Sequence, residues 1–163
     1  VERIEKANSG MEVSDFEVQN QNDLSKPIIE NYSFNTDNVV EIIGDKMYVS
    51  PLLFLTMDEN PFKQEKREYP VDFIFPHQNK YNISLTLPEG YEVETLPQPT
   101  AVSMPENMAN FKYNLSNNGN QLQIIYSLDI NSAIMGSEDY EILKNFFKEL
   151  INKHSEKVVI KKV

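Results

Sequence analysis

Two histidines, His77 and His154, are the side chains of this sequence that would change charge near neutral pH without help from their surroundings. His77 follows Pro76 at the end of an apolar run, and His154 falls at the end of a helical repeat. Neither has a partner at the i, i+4 spacing of a metal site. They read as a surface turn and a helix-end cation. Carboxylates are plentiful: Asp58 and Glu59, Glu65 and Glu68, Glu92 and Glu94, and Glu138, Asp139 and Glu141. Paired carboxylates hydrolyse glycosides only when a cleft holds them at a set separation. Glu92 and Glu94 share one strand face, where solvent is expected. Asn117-Asn118-Gly119-Asn120 has the glycine bend of a calcium loop but lacks its acids, and reads as a hairpin turn. No serine lies in a Gly-x-Ser-x-Gly elbow, and the 5 scattered glycines form no phosphate loop. Asn-x-Ser triplets at Asn31, Asn82 and Asn114 are no more than this much Asn and Ser yields by chance. With no cysteine, the chain has no disulfide, thiolate zinc site, iron–sulfur cluster or thiol nucleophile. No metal and no cofactor is therefore expected.

Charge narrows the partners. The 15 basic and 25 acidic residues give a net −10, which disfavours nucleic acid, because a phosphate backbone must be met by a basic stripe. No apolar run approaches the roughly 18–20 residues of a membrane span, and no signal peptide is visible. Beginning at Val1 rather than Met, the chain reads as a processed product or a segment of something longer. Its 163 residues suffice for one domain with a structured extension.

The elements that would position these residues are mostly strands. Tyr81, Ile83, Leu85 and Leu87 alternate with polar residues, as do Leu122, Ile124, Tyr126, Leu128 and Ile130, with Gln121, Gln123, Ser127 and Asp129 outward. Phe111, Tyr113 and Leu115 form a partner strand. Asn118-Gly119 between them predicts a tight antiparallel hairpin of 111–116 with 121–130. A second hairpin is expected at Val39–Ile43 and Lys46–Val49 around Gly44-Asp45. Val71, Phe73 and Phe75 read as an inward triplet closed by Pro76, and Gly90 as a left-handed turn before strand Tyr91–Leu96. Met11–Val18 and Ile28–Phe34 read as strands, with a bulge at Asp15–Phe16 and a polar loop at Asn20–Lys26. Apolar spacings of three and four (Tyr140, Leu143, Phe146, Phe147, Leu150, Ile151) predict one helix over 138–153, capped by Ser137. A final short strand, Val158–Ile160, is bracketed by lysines, the mark of an edge.

The reading is thus mainly β: an antiparallel immunoglobulin-like β-sandwich with one C-terminal α-helix and a final short strand. Residues 56–68 are the most charged and least periodic, which divides the chain into a β-strand extension over 1–59 and a sandwich domain over 60–163. Most aromatics fall on inward phases. The direction of Tyr32, Tyr48, Tyr69 and Tyr91 is not fixed by the pattern; core packing is the favoured reading for the aromatics, and Tyr69 and Tyr91 are the candidates for an interaction surface.

Several short motifs, in order, resemble a known family. Asn60-Pro61-Phe62-Lys63, Arg67-Glu68-Tyr69-Pro70-Val71-Asp72-Phe73, Leu87-Pro88-Glu89-Gly90-Tyr91 through Pro97, Tyr140–Phe147 and Glu156–Lys162 are similar to a domain of unknown function in Bacteroidetes proteins. In that family the domain closes exported proteins whose middle is a transglutaminase-like, protease-like core. The resemblance covers about residues 60–163. Residues 11–52, with Asp45–Pro51, look like strands linking core to tail. It implies an exported, periplasmic or cell-envelope setting and an upstream transglutaminase-like core of the same polypeptide as partner. Such a core works with Cys, His and Asp, so no catalytic residue carries over to this chain. Two functions follow as expectations: a non-catalytic accessory domain docking on the core and framing substrate access, or an autonomous glycan- or peptide-binding module. A hydrolase in its own right would rest on abundant carboxylates alone.

Overall fold

The computed structural model describes residues 2–8, 10–37 and 39–163. With 46% strand and 16% helix it is mainly β, and its strand pairings are antiparallel. The backbone falls into two units, Val1–Glu41 and Ile42–Val163.

The smaller unit holds helix α1 (Glu2–Ala7) and the ribbon of β1 (Met11–Gln19) and β2 (Ile29–Thr36). The expected bulge is present. The register shifts between Ser14 and Glu17, and Asp15 takes a positive φ of 51°. Beyond the shift, Phe16 comes beside Tyr32, with ring centroids 6.3 Å apart. Glu5 of α1 accepts the Val13 N–H at 2.9 Å.

The larger unit is built around one core. Its strands are β3 (Val40–Ile43), which crosses the division, β4 (Lys46–Val49), β5 (Val71–Asp72), β6 (His77–Thr86), β7 (Tyr91–Thr95), β8 (Thr100–Ser103), β9 (Ala109–Asn118), β10 (Gln121–Ile130), β11 (Ile134–Met135) and β12 (Val158–Lys162), with helix α2 (Tyr140–Ser155). One four-stranded sheet runs β6-β10-β9-β8 and another β3-β4-β12-β7, while β5 and β11 pair separately. Residues 42–59, assigned from sequence to the extension, lie in this unit: β4 pairs with β12 and Leu52 is fully buried.

The period-2 strands bury the expected face. Leu122, Ile124, Tyr126, Leu128 and Ile130 of β10 are all buried, at about 1.5–3 kcal/mol for each side chain removed from water. Ser127 is the exception to the outward set. It is buried, flanked directly by Lys80 and Lys112 on the two neighbouring strands. Gln121 pairs with Asn118, so the hairpin loop is Gly119-Asn120, one residue later than the Asn118-Gly119 centre expected. Gly119 takes φ 61°, while Asn118 and Asn120 keep ordinary values.

Helix α2 buries Tyr140, Leu143, Phe146, Phe147 and Leu150 on one stripe. Ser137 does not cap it. A 3-10 turn over Ser137–Asp139 comes first, and Glu138, Asp139 and Glu141 offer charge to the helix N-terminus instead. The charged stretch before β5 lies along this helix. Phe62 is buried with its ring 4.9 Å from Phe147 and 6.1 Å from Tyr140, while the Asn60 amide donates to the Lys144 carbonyl at 2.9 Å.

Two further expectations are corrected. β12 is an inner strand between β4 and β7, and its lysines are matched rather than repelling: Lys161 meets Glu92 at 3.3 Å and Lys157 donates to Ser50 Oγ. The triplet Val71, Phe73, Phe75 breaks after its second member. Ile74 has φ 71°, and the Phe75 N–H returns to the Phe73 carbonyl at 2.8 Å. This is a three-residue γ-turn, and it turns Phe75 out to 61% exposure.

Candidate functional site

The residues capable of acid–base chemistry are dispersed. His154 is not a surface cation: it is buried at 4% exposure, its ring 5.4 Å from Tyr126 and 6.2 Å from Phe111. Its Nδ1 accepts the Met57 N–H at 2.9 Å, which fixes the tautomer with the proton on Nε2. Burial lowers its pKa to about 4, opposed by the charge of Asp58, so the ring is neutral near pH 7. Nε2 has no partner, and neither does the buried Tyr113 hydroxyl, whose pKa burial raises. His77 sits at the start of β6 with Nδ1 3.1 Å from the Phe75 carbonyl.

Three of the paired carboxylates form ion pairs with lysines. Glu94 bridges to Lys46 at 2.6 Å and Glu92 to Lys161, holding β7 to the strands across its sheet; Glu59 pairs with Lys63. The hydrogen bond that Lys46 donates to Glu94 raises the Lys46 pKa. Among the described residues, no group of His, Asp or Glu is placed to hold a metal ion, and no helix is long and apolar enough to cross a membrane.

Tyr69 and Tyr91 are not brought together. Tyr69 is 75% exposed beside a shallow concavity lined by Gln64, Lys66, Arg67 and Glu68. Tyr91 is half-buried in β7 and packs against the core. A concavity of about 640 Å3 lies between residues 65–67 and the start of α2. It mixes Lys66, Arg67 and Lys144 with Glu65, Glu138 and Glu141, and it is open to solvent.

A feature the alternation pattern hides lies at one end of the larger unit. Three loops meet there: 73–76, 104–108 and 131–133. Main-chain hydrogen bonds join them, from Phe73 N to Ala133 O and from Asn131 N to Met108 O, both 2.8 Å. Three of their side-chain-bearing residues have left-handed backbones: Ile74, Glu106 (φ 52°) and Asn107 (φ 58°). For a β-branched residue such as Ile74 this is costly, and the turn is held by Asp72 Oδ1, which accepts the Ile74 N–H at 2.7 Å. Ile74, Phe75 and Ile134 stand in water at 80%, 61% and 61% exposure. Glu106, Glu138 and Asp139 line the adjoining concavity of about 500 Å3. The only sequence signal for this end was the Phe75-Pro76 stop.

Among the described residues, His77 stands at the start of β6 and His154 near the end of α2, on separate elements. Comparison with known proteins agrees in fold. No curated protein matches the sequence. The chain is similar to part of a crystal structure of a putative protease from Parabacteroides distasonis, with a TM-score of 0.51 and 15% identity over 60% of this chain. It spans 19% of that chain's length, and at this identity the likeness is one of fold. A family described as a domain of unknown function with solved structure (DUF3858) matches residues 45–160, most of the larger unit. The chain therefore belongs to the DUF3858 family.

Proposed function

We propose that this chain is a non-catalytic accessory domain of a longer, exported, transglutaminase- or protease-like protein of the Bacteroidetes type, following its core. In this reading the two sheets sharing one core form an immunoglobulin-like sandwich that docks on the core and frames substrate access, in the periplasm or cell envelope. The observation that carries it is one of proportion. A single family domain fills residues 45–160, and the part of the chain that aligns with the putative protease covers 19% of that protein's length. The sequence is consistent with this, since it brings no cysteine to a thiol mechanism. Reading the gene upstream of the Val1 codon tests it. An exported frame with a Cys, His and Asp core supports the accessory role; a start codon or signal peptide immediately before Val1 contradicts it.

The second reading, an autonomous glycan- or peptide-binding module, is favoured by Tyr69, an exposed ring beside an open polar concavity. Titration with cell-envelope glycans and unstructured peptides distinguishes it. Shifts at Tyr69 support it, and silence across the panel removes it.

A further inference from the structure

The end of the larger unit where loops 73–76, 104–108 and 131–133 meet has two properties that together select a partner. The first is exposed apolar surface that the fold holds out. Ile74 and Phe75 follow Asp72 of β5, and Ile134 of β11 pairs opposite Asp72. A relaxed, extended 73–75 would continue the strand alternation and turn Phe75 back toward the core with Val71. The γ-turn at Ile74, fixed by Asp72, prevents this and keeps both side chains in water. The second property is charge. None of the three loops carries a lysine or arginine, and the one imidazole packed on them, His77, lies 6.1 Å from the Phe75 ring with Nδ1 held at the Phe75 carbonyl. The concavity beside Ile134 is lined by Glu106, Glu138 and Asp139, again with no basic side chain, and Asp72 is exposed next to it.

We propose that this end docks a polypeptide segment bearing an apolar side chain flanked by lysine or arginine. The proposal rests on the accessory-domain reading and adds the surface and the chemistry of its contact. Apolar contact with Phe75, Ile74 and Ile134 supplies the area, and the acidic concavity supplies the selection, since like charges across a contact are repelled. That selection is what disfavours the other occupants. A second copy would bring two acidic ends together, and an anionic membrane surface would face Glu106, Glu138 and Asp139.

The test uses the 163-residue protein, 15N-labelled, titrated with a short synthetic peptide alternating lysine with leucine and phenylalanine, and with its glutamate counterpart. Shifts confined to 73–76, 104–108 and 131–139 with the lysine peptide alone are expected. The double variant Phe75→Ser, Ile134→Ser should bind about tenfold more weakly, because two exposed apolar contacts are lost. It should keep its fold, as both side chains already face water. Glu138→Gln with Asp139→Asn should weaken binding and flatten its salt dependence. Equal response to both peptides, or none, overturns the proposal. So does concentration-dependent dimerisation that Phe75→Ser abolishes, which would make the occupant a second copy. Shifts on another face with the lysine peptide would overturn this surface while leaving the accessory role standing; that role is decided separately by deletion of the domain.

Discussion

Acidification should weaken the larger unit through His154 in a calculable way. The folded ring has a pKa of about 4, against 6.5 for an ordinary histidine. Between those values the unfolded chain holds a proton that the folded chain refuses, so stability rises with pH across the interval. The contribution is fully present above about 6.5 and is lost as pH falls toward 4. Taking the two pKa values, the loss between about pH 7 and pH 5 is about 2 kcal/mol, approaching about 3 kcal/mol below the folded pKa. The cause is structural: protonation would put a charge beside Phe111 and Tyr126 and remove the acceptor of the Met57 N–H. Asp58 is the carboxylate that opposes the shift, and too weakly to cancel it. Urea unfolding of the protein and of His154→Asn across this range measures the effect, because the amide oxygen can still accept from Met57 but cannot titrate. The difference between the two pH slopes isolates His154 from carboxylates that also protonate. Identical slopes, or a His154 ring signal titrating near 6.5, would refute the reasoning.

Other substitutions probe the same framework. Tyr113→Phe removes a buried hydroxyl that has no partner, so stability should be unchanged or rise by up to about 1 kcal/mol; a loss on chemical unfolding would reveal a partner. Phe62→Ala should cost about 3–5 kcal/mol and raise amide exchange across residues 60–64, since its ring is the contact of that segment with Phe147 and Tyr140. Gly119→Val has open space for its side chain, so its penalty is backbone alone, about 1–2 kcal/mol in the melting curve. An unchanged melting temperature would mean that Gly119 is not needed at the turn.

Local, one-sided patterns were legible in the sequence because each strand or helix had a single buried face. The faces of β6, β9, β10 and α2, the bulge in β1, and the turns at Gly44, Gly90 and Gly119 all follow from residue type within a few positions. What escaped depends on contacts between distant segments. His154 is neutral because the fold buries it against Tyr126 and Phe111, with Met57, 97 residues away, donating to its ring, and nothing around His154 signals it. β12 looked like an edge because lysines bracket it, yet Glu92 of β7 and Ser50, just after β4, meet Lys161 and Lys157 from far along the chain. Phe75 followed the inward phase until one γ-turn at a β-branched residue reversed it. The loop end was hidden for the same reason: three segments far apart in sequence compose it. The directions of Tyr69 and Tyr91 were not legible in the sequence, because neither lies in a clean alternation: Tyr69 stands 75% exposed, while β7 packs Tyr91 on the core.

The proposed accessory role is tested most directly on the longer polypeptide that the proposal implies, by comparing kcat and KM for a protein substrate with and without residues 42–163. The account predicts that the isolated chain cleaves neither peptides nor glycosides. It also predicts that deletion leaves turnover of a small substrate intact while raising KM for the protein substrate several-fold. Unchanged KM on deletion, or hydrolysis by the isolated chain, would contradict it.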